Sequence, residues 1–156
     1  MSCQLLDAAI LDEPYLQSPI DDLLSFYYVA QWAATNNNKD IPDSTTVPDK
    51  LRLLRDRLGG SLSERETGTV TITSGTMRPT FYGRFLADCQ PILQAWNQKL
   101  VTLTNDWADA IEHVAPDVED QYKTYYLLFR ELTDRGVLEL LELVRLHFAG
   151  RLKGWA

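Results

Sequence analysis

Ten apolar residues, Phe81, Phe85, Cys89, Ile92, Trp96, Leu100, Leu103, Trp107, Ile111 and Val114, recur in repeated steps of four, four and three. A strand would scatter them over both faces of a sheet, whereas an α-helix gathers them on one side. The repeat, about 3.67 residues, predicts a continuous helical stripe of roughly 35 residues through the middle of the chain. Pro91 lies within it, removing one backbone donor and crowding the preceding turn, so a kink or break is expected near residues 88–90. Ala115-Pro116 is expected to end the helix.

Flanking segments carry the same period. Ser18-Pro19-Ile20-Asp21 has the marks of a helix start: a hydroxyl cap, proline at the first helical position and a carboxylate in the first turn. Ile20, Leu23, Leu24, Tyr27 and Tyr28 then share a face until Thr35-Asn36-Asn37-Asn38 stops it. A polar loop over 36–48 leads to a short helix, 49–58, with Leu51, Leu54 and Leu58 inward and Gly59-Gly60 as terminator. Thr67-Gly68-Thr69-Val70-Thr71-Ile72-Thr73 alternates in polarity and is β-branched, but no second strong strand is present to receive it. It is expected to form an extended loop over 67–74. A helix over 117–134 follows, with Tyr122, Tyr125, Tyr126 and Phe129 on one side and Arg135-Gly136 ending it. The last helix, 137–152, has a narrow polar strip at Glu139, Glu142 and Arg145 and a wide apolar surface. The fold class is therefore all-α, a compact bundle of about five helices in a single domain over 1–156, with 1–17 as a flexible lead-in.

Composition supports this class. A chain of 156 residues buries roughly two-thirds of its unfolded surface, enough for one core. With 45% hydrophobic and 24% charged residues it falls among ordinary globular proteins. The N-terminus has no basic segment followed by an apolar run, and nowhere do about 18 apolar residues run together, so no membrane contact is expected and the location is expected to be cytoplasmic. Cys3 and Cys89 are expected to be reduced thiols.

Charge is distributed unevenly along the chain. Residues 1–49 carry eight carboxylates against Lys39 alone, while 50–84 carry seven basic residues (Lys50, Arg52, Arg55, Arg57, Arg65, Arg78 and Arg84) against three acidic ones, in a chain whose net charge is −7. Such an island either pairs with the acidic N-terminal segment as solvated surface, or holds an anionic partner at one place while the rest of the molecule repels it. On the second reading Arg52, Arg55, Arg65, Arg78 and Arg84 contact phosphates of RNA or single-stranded DNA, releasing counterions. Phe81 and Phe85 belong to the helical stripe, which leaves Tyr82 to stack on a base.

No residue set identifies a reaction, and the chain is expected not to be an enzyme and to carry no cofactor or metal. His113 and His147 stand in different helices without the spacing that puts two metal ligands on one face. Gly59-Gly60-Ser61 and Gly68 lack the lysine and strand context of a phosphate-cradling loop, and Ser74-Gly75 is not a nucleophile elbow. The paired acids Asp21-Asp22, Asp106/Asp109 and Glu119-Asp120 suit helix first turns or exposed faces.

Thr73-Ser74-Gly75-Thr76-Met77-Arg78, running into Phe81-Tyr82-Gly83-Arg84-Phe85, resembles the Thr/Ser-rich turn, aliphatic residue and arginine that open a helix in the small helical subunits of CRISPR effector complexes. The resemblance covers about a dozen residues, and the chain departs from the pattern in Pro79 and in its acidic balance. It implies a noncatalytic all-helical subunit of an antiviral-defence ribonucleoprotein, with Arg78 and Arg84, supported by Arg52 and Arg55, facing nucleic acid. Other protein subunits are the expected partners, through Leu141 and Val144 of the last helix and through Trp155, an indole otherwise lost to solvent at the chain's end. The alternative is a helical adaptor or chaperone-like module without nucleic-acid contact, whose groove, lined by Tyr125, Leu128, Leu141 and Val144, accepts a partner helix.

Overall fold

A computed structural model describes residues 17–38, 41, 47–114 and 118–152. Cys3, Trp155 and the lead-in over 1–16 lie outside them. The described residues form six helices and no strand: α1 (Ile20–Asn36), α2 (Asp49–Gly59), α3 (Leu62–Ser74), α4 (Pro79–Tyr82), α5 (Arg84–Glu112) and α6 (Val118–Leu152). The all-α class therefore holds. The chain divides into two compact units, one of residues 1–26 with 96–156 and one of residues 27–95, so that α1 and α5 each have residues in both.

In the first unit, α1 opens as its sequence predicts. Ser18 Oγ accepts the Ile20 N–H at 3.3 Å and the Asp21 carboxylate accepts the Ser18 N–H at 2.8 Å, satisfying donors that a helix start leaves open. Antiparallel packing of α5 and α6 is fixed by charge and by close approach. Lys99 meets Glu139 at 3.1 Å and Arg135 pairs with Asp106, while Trp107 stacks edge-on against Tyr125 and Phe129. Gly136 does not end a helix: α6 runs through it. A Cβ there would lie 2.5 Å from Leu23 Cδ1 and 3.1 Å from Leu103 Cδ1, so the residue's smallness lets three helices meet, and that burial outweighs its poor helix propensity of about 1 kcal/mol.

The second unit corrects the extended loop expected over 67–74, which is helical within α3. Two features overcome the β-branched run. The Glu64 carboxylate accepts both the Ser61 N–H and the Ser61 hydroxyl at 2.7 Å, one half of a capping box. Thr67, Thr71 and Thr73 turn their hydroxyls back onto carbonyls four residues earlier, at 2.8–3.0 Å, so the helix meets their hydrogen-bonding need. Gly68 lets α3 press on α2, for a Cβ there would stand 2.8 Å from Leu58 Cδ2. Leu51, Leu54 and Leu58 are buried as expected.

The central stripe also differs in its first half. Gly83, at φ +80°, separates α4 from α5 in a backbone region open to glycine. In α5 the buried residues are Leu86, Gln90 and Leu93, then Leu100, Leu103 and Trp107; Phe85, Cys89 and Ile92 are only half-buried. The helix is continuous through Pro91, so no break occurs. The stripe is rotated by one position because Gln90, a polar residue, is needed inside.

Tyr27, 1% exposed, donates its hydroxyl to the Leu93 carbonyl at 3.1 Å. Burial pushes its phenol up to about 12, with the Gln31 side chain pulling weakly the other way. The folded chain thus keeps a proton that the unfolded chain releases near pH 10, so this stabilising contribution is complete below pH 10 and is lost as pH rises toward 12. Urea unfolding at pH 8, 10 and 12 should show wild-type stability falling by about 1–3 kcal/mol more than that of Tyr27→Phe. Equal losses would contradict the assignment.

Candidate functional site

The basic island belongs to the second unit, and its members separate by what holds them. Arg55, half-buried, donates from Nε to the Thr35 carbonyl and from Nη2 to Asn38 Oδ1, both at 2.7 Å. It closes the C-terminal end of α1, where carbonyls lack helical donors and the dipole favours a cation. Arg65 Nε donates to the Gly60 carbonyl at 3.0 Å, and Arg57 reaches Thr71 Oγ1 at 3.5 Å. These three arginines tie their own helices together.

Arg52, Arg78 and Arg84 are different. Arg52 is exposed and pairs with Asp49 at 2.7 Å across one turn, a surface ion pair that water and salt weaken readily. Arg78 and Arg84 are exposed, and among the described residues neither makes a side-chain hydrogen bond or ion pair. Two contacts bring these residues into one neighbourhood. Lys50 Nζ stands 4.4 Å from the centre of the Phe81 ring, a cation–π arrangement. A Cβ at Gly83 would lie 4.0 Å from Leu51 Cδ2. The short helix α4, with Arg78 before it and Arg84 after it, therefore lies against the first turn of α2, which carries Lys50 and Arg52. Phe81 remains 41% exposed, while Tyr82, the expected stacking residue, is half-buried.

What holds this ridge in place lies on α5. Gln90, 6% exposed, accepts the Met77 N–H at 2.8 Å and donates to the Ile72 carbonyl at 2.9 Å and to the Gly75 carbonyl. One turn on, Gln94 donates to the Thr73 carbonyl at 3.1 Å. Helix α3 thus has its final carbonyls satisfied by two side chains of another helix rather than by a turn of its own. Met77, 3% exposed, is drawn inward by the same clamp, and its neighbour Arg78 is left at the surface, where Pro79 starts α4 without the loss of a needed N–H. Neither Gln90 nor Lys50–Phe81 is among the residues expected from the sequence. Gln90 had a readable signal: a polar residue at the buried spacing between Leu86 and Leu93.

Of the residues expected to face a partner, Leu141 and Val144 belong to the first unit. Leu141 and Val144 are both exposed, at 59% and 37%. Tyr125 turns inward against Trp107, so it does not share one groove with Leu141 and Val144. Among the described residues no three His, Cys, Asp or Glu side chains converge as metal ligands, and no helix is long and apolar enough to cross a membrane. His113 donates from Nδ1 to the Asp109 carbonyl, 2.7 Å away, and His147 stacks edge-on against Phe148.

Replacing Gln90 by Leu leaves the Met77 N–H and the Ile72 carbonyl, both on buried residues, without these partners, and each such loss costs about 1–3 kcal/mol. Gln90→Leu should lower unfolding stability by at least about 2 kcal/mol and expose the 75–78 turn to a protease, whereas Gln98→Leu, on the exposed face of α5, should do neither. A stable, protease-resistant Gln90→Leu protein would contradict the clamp.

No protein-family model, curated protein or solved structure matches this chain.

Proposed function

We propose that this chain is a noncatalytic helical subunit of a larger, cytoplasmic assembly that grips the backbone of RNA or single-stranded DNA through Lys50, Arg52, Arg78 and Arg84. The observation that carries the reading is the contrast within the island: Arg55, Arg57 and Arg65 are bonded to the chain's own carbonyls and hydroxyls, while Arg78 and Arg84 are exposed without a partner among the described residues. Cations kept together without counter-charges raise the local potential, a cost to the fold that a polyanion relieves. Asp49 pairs there with Arg52, in a protein whose net charge is −7, so a nucleic acid would be held at this ridge and repelled elsewhere. Phe81, exposed and polarised by Lys50, offers a face for a base. The resemblance of residues 73–85 to CRISPR small subunits supports the same segment. The adaptor reading draws its support from the exposed apolar side of α6, which fits a protein partner whichever reading of the ridge holds.

The proposal is tested with a fluorescent oligonucleotide of roughly 16 nucleotides, titrated by anisotropy at salt concentrations from about 50 to about 200 mM. Arg78→Glu with Arg84→Glu should weaken binding on the order of tenfold or more and flatten the salt slope by about two contacts, with helical content unchanged. Arg55→Glu should instead lower stability, through the end of α1. Unchanged affinity and slope in the double variant would overturn the reading.

A further inference from the structure

Helix α6 has two apolar faces on opposite sides. Leu132, Gly136 and Leu140 are buried against the first unit, while Tyr126 (62% exposed), Leu127 (54%), Val137 (42%) and Leu138 (67%) point away from it. At 100° per residue the two sets centre nearly half a turn apart. Exposed apolar side chains in a row of this length mark a surface that another molecule covers.

The order of residues on this outer face says which molecule. Its middle holds one cation and one anion, Arg130 and Asp134, 70% and 69% exposed and 3.8 Å apart. About the midpoint between them, residue 132, the face reads the same in both directions: Leu127 and Val137 each lie five residues away, Tyr126 and Leu138 each six. At 100° per residue Arg130 and Asp134 project to either side of the middle of this face, Leu127 and Leu138 lie on one flank of it, and Tyr126 and Val137 lie on the other.

We infer that the outer face of α6 pairs antiparallel with the same face of a second copy of this chain, about a two-fold axis through residue 132. In that arrangement each Arg130 meets the partner's Asp134, Leu127 packs on Leu138 along one flank and Tyr126 on Val137 along the other, and every contact occurs twice, as a two-fold interface requires. Farther out, Leu141 meets the aliphatic stem of Lys123, nine residues from the midpoint on either side. A parallel pair would instead set Arg130 against Arg130 and Asp134 against Asp134, so the charges select the antiparallel form. The inference rests on reading α6 as partner-facing and is independent of what the cationic ridge binds; failure of oligonucleotide binding would leave it intact.

Sedimentation of the full chain across a concentration series tests it. The wild type should pass from one chain to two as concentration rises through the micromolar range. Arg130→Glu and Asp134→Lys each place two like-charge pairs in the interface and should weaken association on the order of tenfold, with unchanged circular dichroism. The double variant Arg130→Glu/Asp134→Lys restores both pairs in reversed sense and should associate like the wild type. Leu138→Asp should abolish the dimer while the monomer stays folded, since Leu138 is exposed. A wild type that stays monomeric, a dimer indifferent to the single reversals, or a double variant no better than the singles would each overturn the inference.

Discussion

The carbonyls at the C-terminal end of α3 govern how the second unit is built. A helix that stops leaves its last carbonyls unsatisfied, and here the chain turns away over residues 75–78 without a cap of its own. Gln90 and Gln94, one turn apart on α5, supply the missing donors, and Gln90 also accepts the Met77 N–H. The same amide therefore ends one helix, buries Met77 and sets where α4 begins. With Met77 turned inward and Pro79 fixing the next helical turn, Arg78 emerges at the surface beside the Lys50–Phe81 contact. The proposed grip on a nucleic-acid backbone depends on this buried polar group more than on any one arginine.

Charge in the molecule serves two different ends, and exposure alone does not tell them apart. Arg55 and Arg135 are bound to partners contributed by other helices, the Thr35 carbonyl and Asp106, where the geometry is fixed by packing. Arg78 and Arg84 have no such tie among the described residues. In α6 the division runs by face: Lys99–Glu139 and Arg135–Asp106 bracket the inner seam around Gly136, whereas Arg130 and Asp134 stand on the outer face among exposed apolar residues. A helix with apolar surface on both sides buries one within its own unit and leaves the other exposed.

Periodicity made the helical class, the start of α1 and the inward face of α2 legible, because each rests on local spacing and on turn or cap residues such as Ser18-Pro19 and Gly59-Gly60. Three features were harder to read. The Thr-rich run over 67–73 has strand-like side chains, and its helicity depends on hydroxyls bonding back four residues; the signal present was Ser61 and Glu64, spaced as a cap. Gly136 resembles a terminator, yet its place inside α6 follows from Leu23 and Leu103 needing the space a Cβ would fill. In the candidate site, the island's extent was visible as composition, but which arginines are held by carbonyls was not. The acceptors of Arg55 lie 17 and 20 residues away, a proximity that only the tertiary structure creates. Leu141 and Val144 were legible as apolar surface because the polar strip of the last helix is so narrow.

The central claim is that the surface made by the start of α2 and by α4 receives a nucleic-acid backbone. Hydrogen exchange of the full chain, followed by mass spectrometry with and without a saturating single-stranded oligonucleotide, tests it most directly because it locates the contact without altering a residue. The account predicts slowed exchange at residues 50–52 and 78–84, with α6 unaffected. Protection that falls elsewhere, or no change at those two segments while the oligonucleotide is bound, would contradict it.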